Sequence, residues 1–168
     1  CTVLSKGDLT YANTYYAQGG VAAVMDRRDT TDAHMEDTTR AGGGLCHQDA
    51  VAFTVNNGPD AIHWLIEQGV EFSTLDEEEL HMTREGGHSY RRVIHAADAT
   101  GVAISNTLID SVKSKSNVSL HKNRVLVDLI TEDGSESASG KRCVGAYVLN
   151  LETGKVEVYR AKAVVLAT

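Results

Sequence analysis

The stretch Thr83-Arg84-Glu85-Gly86-Gly87-His88-Ser89-Tyr90-Arg91-Arg92, running on into His95-Ala96-Ala97-Asp98-Ala99-Thr100-Gly101, holds the densest set of chemically able side chains in the sequence. Glu85 stands among the guanidiniums of Arg84, Arg91 and Arg92, beside a Gly-Gly turn and the imidazole of His88. Polar groups converging this closely suit a surface that holds an anion or a small polar molecule. They equally suit a solvated charged loop. A second stretch, Ala12-Asn13-Thr14-Tyr15-Tyr16-Ala17-Gln18-Gly19-Gly20, offers amides and hydroxyls ahead of two glycines that allow close backbone approach or positive φ. It reads as a turn between elements or as a surface laid against a flat, polar cofactor.

The elements that must position these residues belong to one domain of ordinary size. The 168 residues are 42% hydrophobic and 23% charged, enough to bury a core. A net charge of −7 argues against a nucleic-acid surface or an anionic membrane as partner. No apolar run approaches the roughly 18 residues of a membrane span. Cys1, Cys46 and Cys143 are odd in number and widely spaced, with no C-x-x-C pair, so a reducing cytoplasm is the expected location. The seven histidines are scattered, and no metal site is expected.

Cys1 to Gly7 reads as the end of a buried strand. A polar helix is expected over Thr30–Ala41, with a Thr N-cap and Gly42 to Gly44 as its stop. A second helix is expected over Asp49–Asn56. A third restarts at Gly58-Pro59-Asp60, buries Ala61, Ile62, Trp64, Leu65 and Ile66, and ends at Gly69. Glu71 to Glu79 reads as an acidic connector with a solvated tip. Leu80–Met82 and Arg91–His95 read as short strands on either side of the Glu85 loop. Thr100–Lys115 is the clearest amphipathic helix. Strands are expected over Val118–Lys122, Arg124–Thr131, Cys143–Asn150 and Val156–Ala161, then a last buried strand over Ala163–Thr168. The layout is α/β with a β-meander crossover near its end.

This order of elements resembles the flavin-binding domain of the two-dinucleotide-fold flavoproteins. Within that group the chain resembles the L-aspartate oxidase family of the succinate dehydrogenase/fumarate reductase superfamily. The resemblance rests on Ser5-Lys6-Gly7, Tyr15 to Val24, Glu36-Asp37-Thr38, Ala41 to Cys46, Trp64 to Val70, Leu80 to His88, and His95 to Gly101. It implies a partial FAD-binding dinucleotide fold, glutathione-reductase-like, over residues 1–168. It implies oxidation of L-aspartate to iminoaspartate, with hydride passing to non-covalent FAD and then to oxygen or fumarate, in quinolinate and NAD biosynthesis. Functional coupling to quinolinate synthase is a further implication.

Residue by residue, the resemblance implies that Lys6 contacts the adenosine half of FAD. Asn13, Thr14, Tyr15, Tyr16, Ala17, Gln18, Gly19 and Gly20 would lie along its isoalloxazine and ribityl parts. Glu85 would orient the substrate through its amino group. A carboxylate beside an α-ammonium makes a charge-assisted contact and repels a bare dicarboxylate. The other reading within the superfamily is a fumarate reductase or succinate dehydrogenase flavoprotein. Those proteins carry a flavin-linking histidine where this chain has Asn13, and a phenylalanine where it has Glu85. A reading of another class is a non-catalytic α/β interaction module. Arg84, Arg91 or Arg92 could hold Glu85 ionised, although Arg91 and Arg92 read more readily as structural braces. The fingerprint G-x-G-x-x-G that cradles a dinucleotide pyrophosphate is not found in the 168 residues. The chain therefore reads as an internal piece of the flavin domain, with the first strand-helix unit and the substrate-capping domain missing.

Overall fold

The computed structural model describes residues 1–76, 79–97, 99–134 and 140–167. Glu77 and Glu78 of the acidic tip, Asp98, the loop residues 135–139 and Thr168 lie outside the described residues. The chain divides into two compact units, Ala12–Val112, and Cys1–Tyr11 with Lys113–Thr168.

The first unit surrounds a small mixed core of Ala23, Ile62, Val70, Phe72, Ile94 and Ile104. Its sheet has three short strands in the order β2 (Val21–Ala22), β4 (Val93–Ile94) and β3 (Met82–Thr83), all antiparallel. Helix α1 (Asn13–Tyr16) precedes β2, and α2 (Thr31–Ala41) follows it. The Thr30 hydroxyl caps α2 by accepting from the Ala33 N–H, as the sequence predicts. The buried residues of α2 are His34 and Asp37, both polar.

Helix α3 (Gln48–Glu67) is continuous where two helices are expected, and Pro59 lies inside it. An interior proline lacks the N–H for one helical bond and costs about 3 kcal/mol. Val55 and Ile62, two turns apart on one face, are buried and hold the helix through that point. The same phase corrects the expected core. Trp64, expected in the core, is 50% exposed, and Phe53, an apolar residue on the same exposed face, is 72% exposed. Each stands two residues from a buried position, about 200° around the helix. Helix α4 (Thr100–Lys113) runs as expected, with Ile104 buried and Leu108 packed at the edge of the core.

The second unit pairs β1 (Thr2–Leu4) with β5 (Ser119–His121) in parallel, Thr2 opposite Ser119. Neither Thr2 nor Val3 is buried, contrary to expectation, since a strand with one neighbour has little to bury against. The meander is present: β6 (Arg124–Asp133), β7 (Lys141–Asn150) and β8 (Lys155–Arg160) form an antiparallel sheet with β7 central. Val144, Ala146 and Val148 alternate inward along β7, as a half-buried strand requires. Asn150 ties off the β7–β8 turn, donating to Glu157 and accepting from the N–H of Glu152. Residues 163–167 form no strand, and Val165 is 85% exposed. An apolar β-branched run becomes a strand only where a neighbour offers its ladder, and among the described residues none does.

Candidate functional site

The Glu85 stretch forms the loop of a hairpin. Strands β3 and β4 pair with Thr83 opposite Val93, and the Arg92 N–H donates to the Thr83 carbonyl at 3.2 Å. Beyond the strands, the loop is held by a buried ionic cluster. Arg92 is fully buried. Its Nε donates to Asp29 Oδ2 at 2.7 Å and its Nη2 to Asp29 Oδ1 at 2.6 Å. Its Nη1 donates to Asp37 Oδ2 at 2.8 Å. The same Asp37 oxygen accepts the Ser89 N–H at 2.7 Å and the Ser89 hydroxyl at 2.6 Å. Asp29 stands just before the N-cap of α2, where it also accepts from the Thr30 N–H, and Asp37 stands in its middle.

Two carboxylates around one buried guanidinium satisfy its charge and most of its donors, which such a buried group demands. Burial opposes the Arg92 charge most strongly. Its bonds to Asp29 and Asp37 more than offset that and raise its pKa. The Ser89 hydroxyl, ahead of the Ser89 N–H and Arg92, holds the Asp37 carboxyl down at about 2 despite burial. Arg92 is thus the structural brace that the sequence suggests. Arg91, its neighbour, is exposed and makes no ion pair among the described residues.

Glu85 lies exposed on this pinned loop, its carbonyl accepting the His88 N–H at 3.1 Å. Among the described residues its carboxylate makes no hydrogen bond or ion pair. The expectation that Arg92 could hold Glu85 ionised is not met, because Arg92 is fully committed to Asp29 and Asp37. Arg84 and Arg91 line an open cleft of about 680 Å³ with Thr83, Ser89, Tyr90 and the Asp26–Arg28 ion pair. His88 is half-buried, its ring 5.9 Å from that of His34.

The segment matched to the flavin is attached to the same sheet. Helix α1 carries Asn13, Thr14, Tyr15 and Tyr16. Ala17, Gln18 and Gly19 follow, all three exposed, and Gly20 leads into β2. Gly20 has φ +110°, and a Cβ there would lie 2.5 Å from the Ile94 carbonyl oxygen of β4. The Gly101 N–H at the start of α4 donates to the Ala17 carbonyl at 3.0 Å. The side chains of Asn13, Thr14 and Gln18 make no bond among the described residues, and a Cβ at Gly19 would meet nothing. An exposed, uncommitted set of amides and a hydroxyl beside two tyrosine rings fits the flat polar ring system of a flavin. Lys6 belongs to the other unit. It is exposed just after β1, next to Ser5, whose N–H and carbonyl bond to His121 and Arg124, and among the described residues its own ammonium makes no ion pair.

Sequence reasoning missed Asp29, His34 and Ser89 as parts of this arrangement. One signal was available: a helix of such polar composition as α2 must still bury a face, and its acids were candidates.

An α/β fold that carries such a segment on one strand and a charged hairpin on the next is that of the FAD-binding flavoproteins. The family model for the FAD binding domain matches residues 1–168, and the chain belongs to that family. It is 58% identical over 99% of its length to the L-aspartate oxidase of Pseudomonas aeruginosa, and covers 32% of that protein. It is 38% identical to the chloroplastic L-aspartate oxidase of Arabidopsis thaliana, covering 99% of this chain and 25% of that one. Among solved structures it resembles the quinol fumarate reductase of E. coli, with a TM-score of 0.86 and 29% identity over 99% of this chain and 27% of the other. The Sdh1 complex of Mycobacterium smegmatis in its apo form gives a TM-score of 0.86 and 27% identity over 99% of this chain and 30% of that one. The chain therefore spans about a third of the length of the first curated relative it matches. No helix among the described residues is long and apolar enough to cross a membrane.

Proposed function

We propose that this chain is the part of a flavoenzyme that presents both the flavin-facing segment and the amino-group-reading carboxylate for oxidation of L-aspartate to iminoaspartate. The observation that carries this reading is the Glu85 carboxylate, exposed and without a partner among the described residues, on a loop that Arg92 pins through Asp29 and Asp37. Similarity to an L-aspartate oxidase at 58% identity supports it. Bound FAD supplies the two-electron acceptor, which oxygen or fumarate then restores. Asn13, Thr14 and Gln18 offer hydrogen bonds to the flavin, with Tyr15, Tyr16, Ala17, Gly19 and Gly20 completing the surface and Lys6 meeting its adenosine half. Glu85 receives the substrate ammonium and so sets which substrate carbon faces the flavin. The pyrophosphate loop and the groups that bind the substrate carboxylates are supplied by other parts of the enzyme. The unstable imine is the substrate for quinolinate synthase, and the three free cysteines suit a reducing cytoplasm.

The superfamily alternative, a fumarate reductase or succinate dehydrogenase flavoprotein, is favoured by the fold likeness at a TM-score of 0.86. Asn13 and Glu85 oppose it, the first because it cannot form the covalent flavin link of those proteins. The test uses the full-length flavoenzyme. Acid should release its flavin, and it should oxidise L-aspartate in preference to succinate. Glu85→Gln should abolish most aspartate oxidation and spare fumarate reduction. Equal loss of both reactions would show that Glu85 does not read the amino group.

A further inference from the structure

The loop of residues 84–92 is too long for a hairpin turn to dictate its shape, because loops of that length have many conformations of similar energy. Yet Glu85 must be held closely if it is to meet an ammonium group. An error of about 1 Å at a positioning group can cost on the order of 100-fold in rate. The Thr83 end is fixed by β3 and by the Arg92 N–H. The Ser89 end is fixed by one atom, Asp37 Oδ2, which accepts from the Ser89 N–H, the Ser89 hydroxyl and Arg92 Nη1. Glu85, Gly86, Gly87 and His88 form the arch between these feet, and the His88 N–H closes it on the Glu85 carbonyl.

From this geometry we propose that Asp37, acting through Ser89 and Arg92, is a positioning residue for Glu85. The carboxylate on α2 sets where the arch stands, and hence the selectivity for a substrate bearing an α-ammonium group. The inference rests on the reading of Glu85 given above. It adds that selectivity depends on a buried acid that never touches the substrate. Asp29 serves a different purpose. It neutralises the far side of Arg92 and fixes the guanidinium plane, so that Nη1 points at Asp37.

Removing Arg92 or Asp37 outright leaves buried charge unpaired and threatens the fold. The mild probe is Ser89, compared as Ser89→Ala and Ser89→Thr in the full-length flavoenzyme. Ser89→Ala should raise the KM for L-aspartate by about tenfold while flavin content and fumarate reduction stay as they were. Ser89→Thr, which keeps the hydroxyl, should restore the KM. Trypsin should nick Ser89→Ala faster after the exposed Arg84 and Arg91. Equal effects on aspartate and fumarate, or none on either, would overturn the proposal in favour of a purely structural brace. The Glu85 reading fails separately, if Glu85→Gln leaves the aspartate KM unchanged. That outcome removes the selectivity role as well, and faster nicking of Ser89→Ala would then show anchoring of the loop alone.

Discussion

A Cβ on residue 101 would clash with the Thr14 carbonyl oxygen, far inside van der Waals contact distance, and would lie 2.6 Å from the Ala17 carbonyl oxygen. Gly101, at the start of α4, is therefore what lets α1 seat against the rest of its unit. Gly101→Ala should overpack this contact and cost about 1–3 kcal/mol. For a chain of this size that lowers the melting temperature by roughly 2–4 °C per kcal/mol. On the proposed reading of Asn13 to Tyr16 as flavin-facing, the variant of the full-length flavoenzyme should also lose flavin more readily on dilution. A melting temperature equal to wild type would mean that α1 does not pack on Gly101.

Trp64, the chain's one tryptophan, provides an optical check on the phase of α3. At 50% exposure its emission should be red-shifted and open to acrylamide quenching. Trp64→Gln should change stability by less than about 0.5 kcal/mol, as substitutions away from packed positions do. Blue-shifted, unquenched emission would place the residue in a covered environment.

The meander was legible in the sequence because alternation along Cys143–Asn150 and the glycine turn at Gly154 are local signals. The hairpin around Glu85 was legible for a similar reason, as two short β-branched or apolar runs flank a Gly-Gly turn. The division between Arg91 and Arg92 was only half legible. Adjacent residues in extended chain face opposite ways, so one of the two had to turn inward. Which one depends on carboxylates 63 and 55 residues away, at Asp29 and Asp37. No periodicity carries information over that separation. Pro59 misled for the opposite reason. A strong local breaker was overridden by burial of Val55 and Ile62 on either side of it. The run at 163–167 shows that β propensity without a partner strand yields exposed coil.

His34 makes the stability of this unit depend on pH near neutrality. It is 7% exposed, and its Nδ1 has no partner among the described residues. Burial, then Arg92 and His88, pushes its pKa below the ordinary 6.5, while Asp29 and Asp37 act in the opposite direction. The folded state thus binds the proton less readily than the unfolded chain. Stability is full above about pH 6.5 and declines as pH falls below it. His34→Gln should flatten that limb, read as urea midpoints at about pH 7.5 and 5.5. An unchanged slope would assign the limb to another histidine.

Asp37 governs a separate and more acidic limb. Its carboxyl is held at about 2, against an ordinary value of 3.8, chiefly by the Ser89 hydroxyl. A depressed acid contributes stability that is present above about pH 4 and is lost as pH falls through the folded value. Asp37→Asn keeps the shape but removes the charge facing Arg92, and should cost about 3–5 kcal/mol at neutral pH, the usual result of breaking a buried pair. From about pH 4 down to about pH 2 the gap between the variant and the wild type should narrow, because protonation of Asp37 progressively removes the charge that the substitution has already removed. Acid-limb denaturation curves that stay parallel down to about pH 2 would show that Asp37 is not the titrating group.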